Sequence, residues 1–298
     1  MKPRRRKPKK RIFNKTFIGV IVVASILGLG LLIYFLSRPP VQTFQYKAAI
    51  IDHLSHPNWG MANQTFIDAS TAILETAGFS VDYYDWKNVT VNFYRDLPLR
   101  GYGLIVLRVH SASGIIGGEQ SLALFTSEPY STTGHQLEQI QDRVVMVSLI
   151  RNEAPFYFGV SPKFIKYSMS PRVNFANTII IMMGCDGLNT NTVKMAEAFV
   201  ERGASVYISW DLHVTATHTD QATIRLLQYL AAEKQTIGKS VEETNNEVKP
   251  DPQYGSVLDY YPDAAGDLTI PKISGILAIN PTKTVSCTNK IRKIRLDG

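Results

Sequence analysis

A stretch of 20 residues without a charged side chain, 17–36, most constrains how this 298-residue chain can fold. At the rise of an α-helix this stretch spans about 30 Å, the thickness of the hydrocarbon core of a bilayer. A signal-peptide core is shorter and precedes a small-residue cleavage site, whereas Ser37-Arg38-Pro39-Pro40 follows here. The stretch has no polar face, which argues against a buried helix of a globular core. The sequence therefore predicts one transmembrane helix over 17–36.

The basic residues of the chain are concentrated before this stretch. Residues 1–15 contain nine Lys and Arg and no acid, and the formal net charge of the whole chain is +7. The remainder is slightly acidic, so we expect no nucleic-acid partner. The positive-inside rule keeps the tail, 1–16, in the cytoplasm and places the chain beyond a linker, 37–45, on the other side. The sequence thus predicts a single-pass protein of the cell membrane that contacts the lipid bilayer and has an extracytoplasmic C-terminal domain.

From residue 46 onward, short apolar runs alternate with segments of helical spacing. We expect strands at 46–52, 79–84, 102–109, 178–183 and 205–210, and helices at 63–77, 90–97, 192–202 and 221–234. Runs that are apolar throughout are typical of parallel strands buried on both faces. The predicted fold class is α/β, with a parallel sheet between two layers of helices.

This alternation is interrupted between its third and fourth strands. The region 111–175 predicts a β-rich insertion, with strands near 121–126 and 143–150. The last part, 251–298, is rich in Pro and Gly and is expected to form an extension with β pieces. The α/β domain itself is predicted to occupy 46–250.

Side chains suited to chemistry follow the ends of the predicted parallel strands. In open parallel sheets, ligands bind beyond the carboxyl ends of the strands. Five of the six histidines and one of the two cysteines fall there, accompanied by three acids: His53, His56, His110, His213, His218, Cys185, Asp52, Asp186 and Asp211. We therefore expect the functional site at this edge of the sheet.

Two of these strand ends resemble those of the caspase-like cysteine peptidases, a group that includes caspases, gingipains and bacterial CHAT domains. The sequence LRVH at 107–110 is similar to the strand end that carries the catalytic His, and IMMGCDG at 181–187 to the one that carries the Cys. The segments 194–204 and 237–243 are also similar to those families. The resemblance implies a caspase-like three-layer sandwich, hydrolysis of peptide bonds in a peptide or protein substrate, and no cofactor.

The resemblance also implies a role for individual residues. Cys185 is the expected nucleophile and His110 the expected acid/base. The backbone N–H groups of Ser111 and Cys185 are expected to form the oxyanion hole. The remaining residues assigned by position are a specificity pocket of Asp211, Trp210 and Asp186, and a supporting pair, Asp52 and His53.

The sequence departs from the family pattern at two positions. Ser111 stands where these families usually have Gly after the His, so a conformation that only Gly adopts would be lost. Gly184 stands where a small Ala is more usual before the Cys. The first departure leaves open a non-catalytic caspase-like domain that serves binding or assembly at the cell surface.

Other interpretations of the same residues also remain open. Cys185 could be a buried structural thiol, or could pair with Cys287 in an oxidising compartment. The histidines at the strand ends, with Asp52 and Asp211, could form a metal site, although no H-x-x-H spacing occurs. No metal is expected on the peptidase interpretation.

Overall fold

The computed structural model describes residues 24–31, 44–151, 153–170 and 173–270. The chain divides into two compact units, Met1–Val41 and Gln42–Gly298. In the first unit, residues 24–31 form an exposed helix, whereas the tail, 1–16, and the rest of the predicted membrane helix, 17–36, lie outside the described residues. Within the described ranges, no helix is both long enough and apolar enough to cross a bilayer.

The second unit is built on two β-sheets. Its described strands are, in chain order, β1 (Lys47–Asp52), β2 (Ser80–Asp85), β3 (Leu104–Arg108), β4 (Ser111–Ile116), β5 (Glu119–Pro129), β6 (Val144–Ser148), β7 (Phe156–Val160), β8 (Ile179–Met182), β9 (Val206–Trp210) and β10 (Leu258–Tyr261). The larger sheet has the order β2-β1-β3-β8-β9-β10. Neighbours from β2 to β9 are parallel, and β10 is antiparallel to β9. The predicted mixed α/β fold with a mainly parallel sheet is confirmed.

Helices cover both faces of the larger sheet. They are α1 (Gln64–Thr76), α2 (Val91–Asp96), α3 (Gln136–Ile140), α4 (Pro162–Tyr167), α5 (Lys194–Glu201), α6 (Ala216–Leu227) and α7 (Ile237–Val248). Buried side chains of α1, α6 and α7 belong to the core on one face, and those of α2, α4 and α5 to the core on the other. The three-layer arrangement follows from these two cores.

The central strands are apolar on both sides because each side meets a core. In β3, Leu104 and Val106 point into the first core, whereas Ile105 and Leu107 point into the second. Successive side chains of a strand project to opposite faces, so a strand between two cores has no solvent-facing position. This is why continuous apolar runs, rather than alternating ones, mark the strands of this sheet.

The predicted insertion forms the second sheet, which is antiparallel and has the order β4-β5-β7-β6. Leu122 and Leu124 of β5 pack into the second core of the larger sheet. Ala123 and Phe125, which alternate with them, pack on the opposite face with Val147. The small sheet therefore rests one face on the domain core and turns the other toward the strand ends.

Several elements differ from the sequence expectation. Helix α6 begins at Ala216 and continues into a π-helical turn, Gln228–Ala232, so it starts before the predicted 221–234. Strands β4 and β7 and helix α7 were not predicted. The sequences of β4 and α7 mix small, polar and apolar residues, so neither has a continuous apolar run. Strand β7 is a five-residue segment that pairs with β5 and β6.

A buried ionic network ties the carboxyl ends of β1 and β3 to α6. The guanidinium of Arg108 donates from one Nη to Asp52 Oδ1 at 2.7 Å and grips Asp220 through Nε and the other Nη, at 2.7 and 2.8 Å. That second Nη also donates to the carbonyl of Met61 at 2.7 Å, and the group lies 5.4 Å from the centre of the Phe66 ring. Arg108 is fully buried, so every one of its contacts is made within the protein.

Replacing Arg108 with Met should strongly destabilise the domain, because two carboxylates would be left buried without their cation. We expect a loss of about 3–5 kcal/mol in the free energy of unfolding, measured by urea denaturation. The control is Lys163→Met, which breaks an exposed pair with Asp142 and should cost about 0–1 kcal/mol. Similar losses in both variants would contradict this view of the network.

Candidate active site

A cavity of about 760 Å³ lies where the ends of β3 and β8 meet the small sheet. His110 and Cys185 line it from strand ends of the larger sheet, and residues of β4, β5 and β6, with Ser111 among them, line it from the small one. Asp186, His213 and Arg151 complete the polar part of its lining. The cavity therefore occupies the edge at which the sequence predicted the functional residues.

The strand ends approach closely because residue 184 is a glycine. A Cβ placed on Gly184 would lie 2.6 Å from the carbonyl oxygen of Val109 and 2.8 Å from Ser111 Oγ. Ser111 Oγ in turn donates a hydrogen bond of 2.6 Å to the carbonyl oxygen of Cys185. Packing therefore requires glycine at 184. The absence of the Ala methyl group at this position matters more than the sequence suggested.

Ser111 adopts ordinary extended backbone as the first residue of β4. Its φ is not in the positive region, where glycine would be favoured. The expectation that serine here forfeits a glycine conformation is therefore wrong for this chain, since no such conformation occurs at Ser111. Its side chain instead joins β4 to the segment that carries the thiol.

Cys185 is a free, partly buried thiol held by the loop after β9. Its Sγ lies 3.5 Å from the N–H of Val214, which donates to it, and 3.7 Å from the carbonyl oxygen of the same residue. Burial raises the pKa of the Cys185 thiol, the Val214 N–H partly offsets this, and the carboxylates of Asp186 and Asp251 raise the pKa further. The sulfur therefore favours its protonated form at neutral pH. Its suggested disulfide partner, Cys287, lies outside the described residues.

His110 sits among aromatic rings at the other side of the cavity. Its ring centre lies 5.4 Å from that of Trp59, 5.7 Å from Phe125 and 6.2 Å from His53. Burial, with a smaller contribution from the charge of Arg108, lowers the pKa of His110 to about 4. The imidazole is consequently neutral at pH 7, the form that can accept a proton.

His213 and Asp186 form a second polar pair in the cavity. His213 Nδ1 lies 3.1 Å from Oδ1 of Asp186 and 3.0 Å from Oδ2. Asp186 has a left-handed backbone, with φ of 57°, and its N–H donates to the carbonyl of Leu212 at 3.0 Å. These bonds fix the turn after Cys185 against the loop that follows β9.

The other residues predicted for the site lie around the cavity rather than in it. Asp52 belongs to the buried network of Arg108, where its own burial raises its pKa against the effect of the guanidinium. His53 is fully buried, with its ring edge against Trp59. The ring of His53 lies 6.2 Å from that of His110, whereas Asp52 contacts Arg108.

Trp210 and Asp211, predicted for a specificity pocket, do not appear in the cavity lining. The indole N–H of Trp210 donates to Thr219 Oγ1 at 2.9 Å inside the first core. Asp211 accepts the N–H of Val257 through Oδ1 at 2.9 Å, which joins β9 to β10. Of the three residues assigned to that pocket, Asp186 lines the cavity.

Sequence reasoning did not identify Trp59, Phe125 or the pairing of His213 with Asp186. Trp59 and Phe125 look like ordinary core residues in the sequence, and the pairing depends on a backbone conformation that residue type does not reveal. The described residues contain no group of three or more His, Cys, Asp or Glu side chains arranged to hold a metal ion.

No protein-family model and no curated protein sequence matches the chain. Among solved structures, the chain is similar to the Arg-specific cysteine proteinase gingipain R, with 14% identity over 70% of this chain and 44% of that one, at a TM-score of 0.41. A complex of the Porphyromonas gingivalis RgpB pro- and mature domains matches with 11% identity over 71% of this chain and 45% of that one, at a TM-score of 0.39. The chain spans less than half of each of these gingipain chains.

The Drosophila initiator caspase Dronc is also similar, with 10% identity over 74% of this chain and 82% of that one, at a TM-score of 0.37. These likenesses are partial, and none of them assigns the chain to a family.

Replacing Gly184 with Ala should push the ends of β3 and β8 apart, because the new methyl group would overlap the Val109 carbonyl. We expect a loss of about 1–3 kcal/mol in unfolding free energy, measured by urea denaturation. Gly114→Ala is the matched control, since nothing lies within 4 Å of a Cβ at that position. Equal stability of the two variants would contradict the packing argument.

Proposed function

We propose that this protein is a membrane-anchored, extracytoplasmic cysteine endopeptidase that uses Cys185 and His110 as a catalytic dyad. The observation that carries the proposal is that a free thiol and a neutral imidazole, from the ends of adjacent parallel strands, line one cavity. Thiols and imidazoles at such positions perform nucleophilic catalysis when the imidazole removes the thiol proton.

The electrostatics of the two groups define how such a reaction would start. The raised pKa of Cys185 and the lowered pKa of His110 both favour uncharged forms. The resting site is then a thiol and an imidazole rather than a preformed ion pair. His110 would accept the Sγ proton as the sulfur attacks the carbonyl carbon of a peptide, so that its positive charge forms only once the reaction has begun.

Two backbone groups are proposed to stabilise the oxyanion that forms in this attack. They are the N–H groups of Ser111 and Cys185, which belong to segments joined by the Ser111 Oγ bond to the Cys185 carbonyl. N–H donors held rigidly in this way contribute most when they need not reorganise during the reaction.

A second candidate function is a non-catalytic domain that binds or assembles with other proteins. It is favoured by the hydrogen bonds of the thiol, which go to the main chain of Val214. A sulfur occupied in this way and kept protonated by burial has the properties of a structural thiol. Activity measurements on variants separate this candidate from the peptidase.

The test of the dyad uses the full chain in detergent and a mixture of fluorogenic peptides. Cys185→Ala should abolish cleavage, and His110→Ala should lower kcat/KM by about 10²–10⁴-fold, because the proton acceptor is lost. His135→Ala, which removes a histidine paired with Glu128 outside the cavity, should leave kcat/KM unchanged. Cleavage that persists in Cys185→Ala, or its absence from the unmodified protein, would rule out the peptidase.

The anchoring part of the proposal rests on the uncharged stretch 17–36 and the basic tail before it. The full chain should remain with membranes through an alkaline carbonate wash, and a variant lacking 17–36 should be released, because about 20 apolar residues can span the bilayer core. Protease added to intact cells should remove the domain and spare an epitope placed in the tail. Release of the full chain by carbonate would contradict the anchor.

A further inference from the structure

The cavity contains an imidazole that the proposed dyad leaves unused. The side chain of His213 is 57% exposed, whereas that of its partner Asp186 is 9% exposed. A carboxylate bound to one ring nitrogen fixes the orientation of a histidine and leaves the other nitrogen for a different partner. With Nδ1 held by Asp186, the Nε2 atom of His213 is available to a molecule in the cavity.

His213 is tied closely to the proposed nucleophile. The N–H of Val214, the next residue, lies 3.5 Å from Cys185 Sγ. Standard bond lengths then place the Cα atom of His213 within roughly 6 Å of that sulfur. Asp186 follows Cys185 directly, so both members of the pair adjoin the thiol.

The two imidazoles approach Cys185 from opposite sides. His110 follows β3, Cys185 follows β8 and His213 follows β9, and these strands are consecutive neighbours in the sheet. Adjacent strands lie about 4.8 Å apart. A peptide attacked by the sulfur would therefore have one imidazole on the β3 side and another on the β9 side.

The surroundings of the two rings suit different tasks. His110 is partly buried and packed among Trp59, Phe125 and His53. His213 is open to the cavity and lies beside a carboxylate, which can balance the charge of a protonated ring. Loss of an amine from a peptide requires a proton donor at the departing nitrogen.

We propose that His213 is a catalytic residue of this site, which donates a proton from Nε2 to the leaving amine while Asp186 holds Nδ1. The inference rests on the proposed peptidase function and adds to it a division of labour between two histidines. His110 exchanges a proton with the sulfur. His213 donates a proton to the leaving amine and later accepts one from the attacking water.

The proton balance of the cycle closes. In acylation the Sγ proton passes to His110, the S–C bond forms, and the C–N bond breaks as protonated His213 gives its Nε2 proton to the nitrogen. In deacylation, neutral His213 takes a proton from water as the C–O bond forms. The C–S bond then breaks, and the sulfur recovers its proton from His110. The net reaction is the addition of water across one peptide bond.

The experiment compares two substrates with the same acyl part, a peptide amide and a p-nitrophenyl ester, on the full chain in detergent. The ester leaving group departs without a proton, so its cleavage does not need an acid. His213→Asn keeps an N–H for Asp186 but removes the donor to the substrate. We expect kcat/KM for the amide to fall by about 10²-fold or more, and for the ester by less than about fivefold.

Three further measurements separate catalysis from a structural effect. Asp186→Asn should show the same selective loss for the amide, because the carboxylate that balances the charge of the protonated ring would be lost. His135→Asn should leave kcat/KM unchanged for both substrates. His135 Nε2 pairs with Glu128 at 2.7 Å, and neither residue lines the cavity. The rate at which iodoacetamide alkylates Cys185 should be unchanged in His213→Asn, because His110 serves the sulfur.

Equal losses for amide and ester in His213→Asn, or an unchanged rate with the amide, would overturn the inference while the peptidase proposal stands. Failure of the unmodified protein to cleave either substrate, or cleavage that survives Cys185→Ala, would instead overturn the proposed function, and the inference with it. The two failures are therefore distinguishable in one set of assays.

Discussion

The charge of Arg108 has to be neutralised inside the protein, and the arrangement of the site depends on how this is done. Its guanidinium is fully buried two residues before His110, and it can be accommodated only if Asp52 and Asp220 remain in place. That requirement fixes the end of β1 and helix α6 against the end of β3. The position of His110 at the cavity is therefore fixed by the ion pairs of Arg108 with Asp52 and Asp220.

The sulfur side of the cavity is fixed by close packing and main-chain bonds instead of charge. Gly184 lets the chain after β8 pass the Val109 carbonyl, and Ser111 and Val214 bind the Cys185 segment from either side. Burial then shifts the pKa values of His110 and Cys185 in opposite directions, and both shifts favour neutral groups. His213 and Asp186 form their pair in another part of the cavity, where the side chain of His213 is 57% exposed.

The parallel strands could be predicted because each is buried on both faces, which leaves a continuous apolar run in the sequence. The edge on which His110 and Cys185 lie followed from that prediction, since the carboxyl ends of parallel strands share one edge. Strands β4 and β7 could not be predicted in the same way. The sequence of β4, SASGII, contains small and polar residues, and this strand forms by pairing with β5 across the turn Gly117-Gly118. The sequence of β7, FYFGV, forms a strand between β6 and β5, and β5 lies far from it in the chain.

The sequence by itself determined the α/β class, the positions of the central strands along the chain, and which thiol and imidazole fall at strand ends. These features follow from local periodicity, which neighbouring residues in the sequence specify. Only the tertiary structure decided that Asp211 joins β10, that Asp186 turns to His213, and that Gly184 is needed for two strand ends to meet. Each of those outcomes depends on contacts between distant segments, and such contacts exist only once the layers have packed.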